Sequence, residues 1–280
     1  MTYRSLIVLL GSDERNAVRT ATAIELARRF EAHLVGLAPT GIVDLPVVTD
    51  PSGSMGNLVE LAWGSLRDEA AKNAAAFQQA CSEAGLPSFE AVVDEADRIG
   101  SLVHHAHCSD LCIVSQAGLD APDRRKQQRA LEQMVLDCAR PTLILPDAGV
   151  FRSVGSQVMI AWDDSREAAR AVSDALPLLR IADGVEVINW IESKADDELA
   201  QSTRLQALQR WLMWQGVSAE IKTEVSEIPI AEAMLSRAAD GQADLIVMGA
   251  YGHSRWTERL LGGATRGILG SMTVPIVMSH

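Results

Sequence analysis

Apolar and polar positions along the chain fall into two regimes that alternate. Short runs rich in Val, Ile and Leu occur as "SLIVLL" (5–10), "HLVGLA" (33–38), "FEAVVD" (89–94), "DLCIVS" (110–115) and "PTLILP" (141–146). Longer segments with the three-to-four spacing of a helix that buries one face lie between them. The scheme returns as "QVMIAW" (157–162), "VEVINW" (185–190), "AEIKTEV" (219–225), "DLIVMG" (244–249) and "VPIVMS" (274–279), with helical stretches such as "SREAARAVSDALPLLR" (165–180) between. Strands that alternate with helices predict βαβ units and a mostly parallel sheet, an α/β fold.

The second set of elements repeats the first. Asp110-Leu111 matches Asp244-Leu245 and Pro141 matches Pro275, both at an offset of 134. Nearer the N-terminus, Ile7 matches Ile160 and Ser12 matches Ser165 at 153, so the first half carries nineteen additional residues. Their natural place is 39–56, "PTGIVDLPVVTDPSGSMG", whose Pro, Gly, Ser and Thr content reads as a loop. The expectation is two domains, 1–149 and 150–280, each a doubly wound parallel sheet of five strands. Ligands of such sheets sit outside the carboxyl ends of the strands, where strand order reverses.

Composition narrows the function. The chain of 280 residues is 48% hydrophobic and 22% charged, enough to bury a core in each half. A formal charge of −12 leaves no basic track for a nucleic-acid backbone. The apolar run at the N-terminus stops at Gly11 without a cleavage pattern, and no apolar stretch reaches the roughly 18 residues of a membrane span, so a cytoplasmic protein is expected. Cys81, Cys108, Cys112 and Cys138 lack the regular spacing of a disulfide framework and are expected to be reduced.

Residues 248–267, "MGAYGHSRWTERLLGGATRG", place glycines between a buried-looking strand and a helix. In such a unit backbone N–H groups and a helix N-terminus can converge on a phosphate. There is no GxxxxGK[ST] and no GxGxxG after either first strand, so neither the Walker loop nor the dinucleotide fingerprint is present. The spacing Gly249-x2-Gly252-x9-Gly262 resembles the nucleotide motif of the universal stress protein family, Gly-x2-Gly-x9-Gly-Ser/Thr. The surrounding "ADLIVMGAYGHSRWTERLLGGATRGILGSMTVPIVMSH" is similar to that family's C-terminal signature throughout. The chain thus looks like a tandem member. The motif is specific in the second half, and only the strand pattern carries the likeness in the first.

The resemblance implies sheets of order 3-2-1-4-5 and ATP, with Mg²⁺, lying over the carboxyl ends of the first and fourth strands of the second half. It implies Ala161, Trp162 and Asp163 at the nucleoside end, and Met248, Gly249, Gly252, His253, Ser254, Gly262, Gly263, Ala264 and Thr265 around the phosphates. Asp163, in "IAWDDSREAARA", stands where the family has the acid of a Val-Asp-Gly-Ser turn, with Asp164 in place of the glycine. Asp164 and Ser165 read equally well as caps of the following helix. Gly263 replaces the family's Ser/Thr, which removes a phosphate-binding hydroxyl, and Thr265 offers one two positions on. Arg255 is a phosphate neighbour or part of a solvated loop. By the same offsets Gly249, Gly252, Gly262 and Gly263 fall on Ser115, Gly118, Gln128 and Arg129, and Asp163 falls on Leu10, so one nucleotide site is expected rather than two.

Three function classes remain open. The first is an ATP-binding stress-response regulator without a catalytic residue, the second a slow ATPase, and the third a nucleotide-free interaction module, with a homodimer compatible with each. "HHAHCSDLC" gathers His104, His105, His107, Cys108 and Cys112, but without CxxC or HExxH it reads as a helix end with buried thiols rather than a metal site. Of Trp211 and Trp214, three apart on one helix, at least one is expected in a core or an interface.

Overall fold

The computed structural model describes residues 2–42, 56–118, 121, 123–151, 153–191, 198–252 and 263–280. The chain folds as two compact units, Tyr3–Val114 and Ser115–His280.

In the first unit β1 (Ser5–Leu9), α1 (Asn16–Phe30), β2 (His33–Pro39), α2 (Gly56–Glu83), β3 (Phe89–Asp94), α3 (Arg98–Ala106) and β4 (Leu111–Ser115) follow one another. The strands lie side by side in the order β3-β2-β1-β4, all parallel. Leu111, Cys112, Ile113 and Val114 of β4 are all buried, whereas β3 at the edge alternates half-buried with exposed positions. A strand covered on both faces must be apolar throughout, and an edge strand need not be. Gly36 interrupts the apolar run of β2 because Phe77 of α2 lies flat on it: a Cβ there would come within 2.6 Å of the ring. Of the 39–56 insertion, 43–55 lie outside the described residues.

The second unit contains α4 (Arg124–Asp137), β5 (Thr142–Leu145), β6 (Gln157–Ala161), α5 (Arg166–Leu179), β7 (Gly184–Ile191), α6 (Glu198–Trp214), β8 (Glu220–Val225), α7 (Ile230–Asp240), β9 (Leu245–Gly249), α8 (Gly263–Ser271) and β10 (Ile276–Ser279). Its strand order is β5-β10-β9-β6-β7-β8. From β10 to β8 the strands are parallel in the 3-2-1-4-5 order, and β5 joins antiparallel on β10. The last strand of the first repeat thus pairs with the last strand of the second. The sequence repeat changes near Gly149, whereas α4 and β5 belong to the same compact unit as the residues that follow.

The repeated Asp-Leu pair has a structural role in each unit. Asp110 accepts hydrogen bonds from the N–H groups of Arg4 (2.7 Å) and Ser5 (3.0 Å), and Asp244 from those of Gly155, Ser156 and Gln157 (2.9–3.1 Å). Each carboxylate holds the start of the first strand of its repeat, where amides would otherwise lack partners. No described helix is long and apolar enough to cross a membrane.

All four cysteines are free thiols. Cys81, Cys112 and Cys138 are buried and Cys108 is exposed, and burial pushes the Cys81 thiol up to about 11. A maleimide at neutral pH is therefore expected to label Cys108 rapidly and the other three only after denaturation. Peptide mapping after a short pulse checks this, and fast labelling of Cys81 would contradict it. The helix α3 ends at Ala106, so His104 and Cys108 do not share a helical face, and His105 lies 3.4 Å from Asp94 instead. Among the described residues no three metal-ligating side chains converge.

Candidate functional site

The carboxyl ends of β6 and β9 lie side by side, with Ala161 opposite Met248. Both residues are buried, as is Trp162, so they form the floor of the candidate site. The N–H of Trp162 donates to Ile188 (2.9 Å) and its carbonyl accepts from the Asn189 side chain (2.9 Å). The backbone leaving β6 is thereby fixed on both sides before it turns.

Asp163 follows and is exposed. Its Oδ1 accepts from the Ser165 N–H (3.1 Å) and hydroxyl (2.6 Å), and among the described residues Oδ2 has no partner. Ser165 in turn accepts from the Ala168 N–H at 3.0 Å and caps α5. The capping alternative therefore holds for Ser165. Asp164 stands at φ 61°, in the left-handed region, with its carboxylate 3.0 Å from Arg204. Aspartate is among the few residues that tolerate this region.

Gly249 ends β9 against the first turn of α5. A Cβ there would lie 2.5 Å from the backbone nitrogen of Ala168, so close packing alone requires this glycine. Gly252 faces the same turn less tightly, with a Cβ falling 3.1 Å from the Ser165 hydroxyl and 3.2 Å from a Glu167 carboxylate oxygen. Gly267 has its own packing reason, a Cβ there coming within 2.8 Å of Ala231. His253, Ser254, Arg255 and Gly262 lie outside the described residues.

Chain entry into α8 supplies the other side. Gly263 is exposed, Ala264 half-buried and Thr265 buried. First-turn amides of a helix have no partner within it and point at whatever lies before its N-terminus. The Thr265 hydroxyl accepts from the Tyr251 N–H at 3.1 Å, which ties the loop after β9 to α8 and leaves the hydroxyl proton to donate.

Three participants have no signal in the glycine motif. Tyr251 adopts φ 56° between Gly249 and Gly252, and its hydroxyl is buried. Burial and the nearby Glu132 carboxylate raise its pKa well above the ordinary phenol value. Glu167, buried in the first turn of α5, pairs with Arg166. Burial pushes its carboxyl up, but the Arg166 bond and charge, its own backbone N–H and His280 outweigh this and hold it below the usual range. His280 bonds through Nδ1 to the Ala250 carbonyl at 2.9 Å. The one sequence clue to Glu167 is an acid in the first helical turn, which also suits the helix dipole.

The first repeat differs at the equivalent positions. Leu6 stands opposite Leu111 as Val158 stands opposite Leu245, so Asp163 corresponds to Gly11 and not to Leu10. Beyond Gly11 an open groove of 730 Å³ is lined by Asp13, Glu14, Asp68 and Glu69 against a single Lys72. Ser115 occupies the place of Gly249, and Gln128 and Arg129 lie within α4.

The model of the universal stress protein family matches residues 156–280. Among solved structures, a universal stress protein from Archaeoglobus fulgidus is similar over 98% of this chain and 95% of its own, with a TM-score of 0.75 and 16% identity. A Pseudomonas aeruginosa protein assigned to the same group covers 99% of this chain and 93% of its own, with a TM-score of 0.62 and 17% identity. A shorter universal stress protein from Archaeoglobus fulgidus, solved in complex with dAMP, covers 44% of this chain and 95% of its own at 19% identity and a TM-score of 0.36. Among curated proteins, none matches the chain. The universal stress protein model thus matches the second repeat, and along its whole length the chain shares the fold of these solved structures.

Proposed function

We propose that the second repeat, 150–280, binds an adenine nucleotide, ATP with Mg²⁺, and that occupancy rather than rapid turnover is its output, as in a cytoplasmic stress-response regulator. The observation that carries this reading is the placement of unlike groups at neighbouring strand ends. Asp163, a carboxylate whose Oδ2 has no partner among the described residues, follows β6, and the Gly249–Gly252 loop with the α8 N-terminus follows β9. A carboxylate accepts from ribose hydroxyls, while backbone amides donate to phosphate oxygens. The first repeat, 1–149, offers neither Gly249 nor Asp163 equivalents, and the acidic groove beyond β1 repels phosphate. One site per chain follows.

Protein purified under native conditions is expected to release adenine nucleotide on denaturation, or to bind added ATP with Mg²⁺ in calorimetry. Asp163→Ala is expected to weaken binding about tenfold, the value of one or two charge-assisted hydrogen bonds. Gly252→Val is expected to weaken it by at least that factor. Neither copurified nucleotide nor binding of added ATP would sink the reading. One observation favours the alternative of a nucleotide-free interaction module: the ionised Glu167 lies beside Gly252 where a phosphate would approach, and Gly263 offers no hydroxyl. The same titration separates the two.

A further inference from the structure

Within Ser115–His280, the pairing of β5 with β10 is centred on equivalent residues. Leu143 stands opposite Val277, Thr142 opposite Met278 and Ile144 opposite Ile276. Leu111 and Leu245 are equivalent in the two repeats, and the same offset makes Leu143 equivalent to Val277. The flanking pairs exchange members under that equivalence. A local pseudo-twofold therefore relates α4 and β5 to α8 and β10. Across a true twofold, a residue near the axis meets an identical residue.

Glu132 and Arg266 are equivalent by the same offset, and they meet: Arg266 Nε lies 3.3 Å from Glu132 Oε2. The Glu132 side chain is 10% exposed and that of Arg266 60%, so the carboxylate is sheltered while salt reaches the pair from the arginine side. Three further side-chain hydrogen bonds run from the first repeat onto the α8 backbone. Gln116 donates to the Leu269 carbonyl (2.8 Å), Arg124 to that of Gly270 (2.8 Å) and Gln128 to that of Arg266 (3.4 Å). Carbonyls in the last turn of a helix need such partners. The equivalent residues in the second repeat, Ala250, Glu258 and Gly262, have no side-chain donor at neutral pH.

We propose that α4 is a dedicated partner for α8 and that the Glu132–Arg266 pair directs the two repeats of one chain to join through these helices. A second α8 is a poor substitute, because Arg266 would face Arg266 and the three donors would be missing. The residues that replace the glycine loop in the first repeat thus acquire a purpose: Gln128, at the position of Gly262, holds α8. This assignment is independent of nucleotide binding.

Charge reversal in the full chain tests it. Glu132→Arg and Arg266→Glu are each expected to lower the thermal unfolding midpoint by about 3 °C or more, and the double reversal to regain over half of the summed loss. The losses should shrink in 1 M NaCl. If the reversals prevent folding, Glu132→Gln and Arg266→Gln serve instead, and the double variant should lose less than the two singles together. Additive losses in the double variants, or single reversals without effect, would overturn the proposal.

Discussion

Gly249→Ala is expected to lower the thermal midpoint by roughly 6–12 °C, about 3 kcal/mol at the slope usual for a unit of this size. The added methyl would stand 2.5 Å from the Ala168 nitrogen and 2.6 Å from the Glu167 carbonyl carbon, and both are backbone atoms at a capped helix start. Neither can yield by a rotamer change, so β9 and α5 must separate. Gly64→Ala makes the contrast. It lies within α2 with nothing inside 4 Å of a new Cβ, and there the same substitution should stabilise by up to about 1 kcal/mol. Differential scanning fluorimetry on both variants gives the comparison. A Gly249→Ala protein that melts with the native chain would show that the approach of β9 to α5 is not tight. The test also sorts the motif: Gly249 is demanded by packing, whereas Gly252 meets only side-chain atoms and is freer to serve a ligand.

Asp13→Ala should destabilise the first unit by about 2–3 kcal/mol. Arg19 is 3% exposed, and its guanidinium donates to both Asp13 oxygens (3.1 and 2.9 Å), to the Leu9 carbonyl and to Asn16. Removal of the carboxylate takes the facing negative charge from a buried cation, which keeps only neutral acceptors such as the Leu9 carbonyl and Asn16 among the bonds named. The cost falls below that of a fully enclosed pair because Asp13 itself is half-exposed. Burial raises the Asp13 carboxyl, but the hydrogen bonds and charge of Arg19, with the Arg15 N–H, outweigh it and the net value is lowered. A group whose folded pKa lies below its unfolded one stabilises fully above the unfolded value, near pH 4, and loses that contribution as pH falls through the folded value. The gap between the native chain and Asp13→Ala should thus stay constant near neutrality and close in acid. Urea unfolding at several pH values measures it, and a gap that widens in acid would refute the assignment.

Much of the architecture is legible from apolar periodicity. A central strand such as β4 must be apolar on both faces, and helices such as α5 show Ala168, Ala171, Val172, Ala175, Leu178 and Leu179 on one face, all buried. Trp214 shows where this logic stops: it is 79% exposed and Met213 63%, because the helix period says which face is apolar but not whether another element covers it. Trp211 is half-buried. At the front of the repeat, matching identical residue types, Ile7 with Ile160, gives an offset one residue away from the register that hydrogen bonding between strands sets.

The candidate site is legible in part for the same reason. Glycine spacing and an acid after the first strand are local signals, so Asp163, Gly249, Gly252 and the Gly263–Thr265 turn can be read in one dimension. Glu167 and His280 join that site through contacts from segments distant in sequence, and the glycine spacing marks neither of them. By itself the sequence determined the βαβ repeat, the duplication and the single glycine loop, because each is a periodicity or a spacing along the chain. Only the tertiary structure decided which glycines packing requires, that β5 joins β10 antiparallel, and that Glu132 meets Arg266, because these depend on distances between atoms that the chain brings together only when folded.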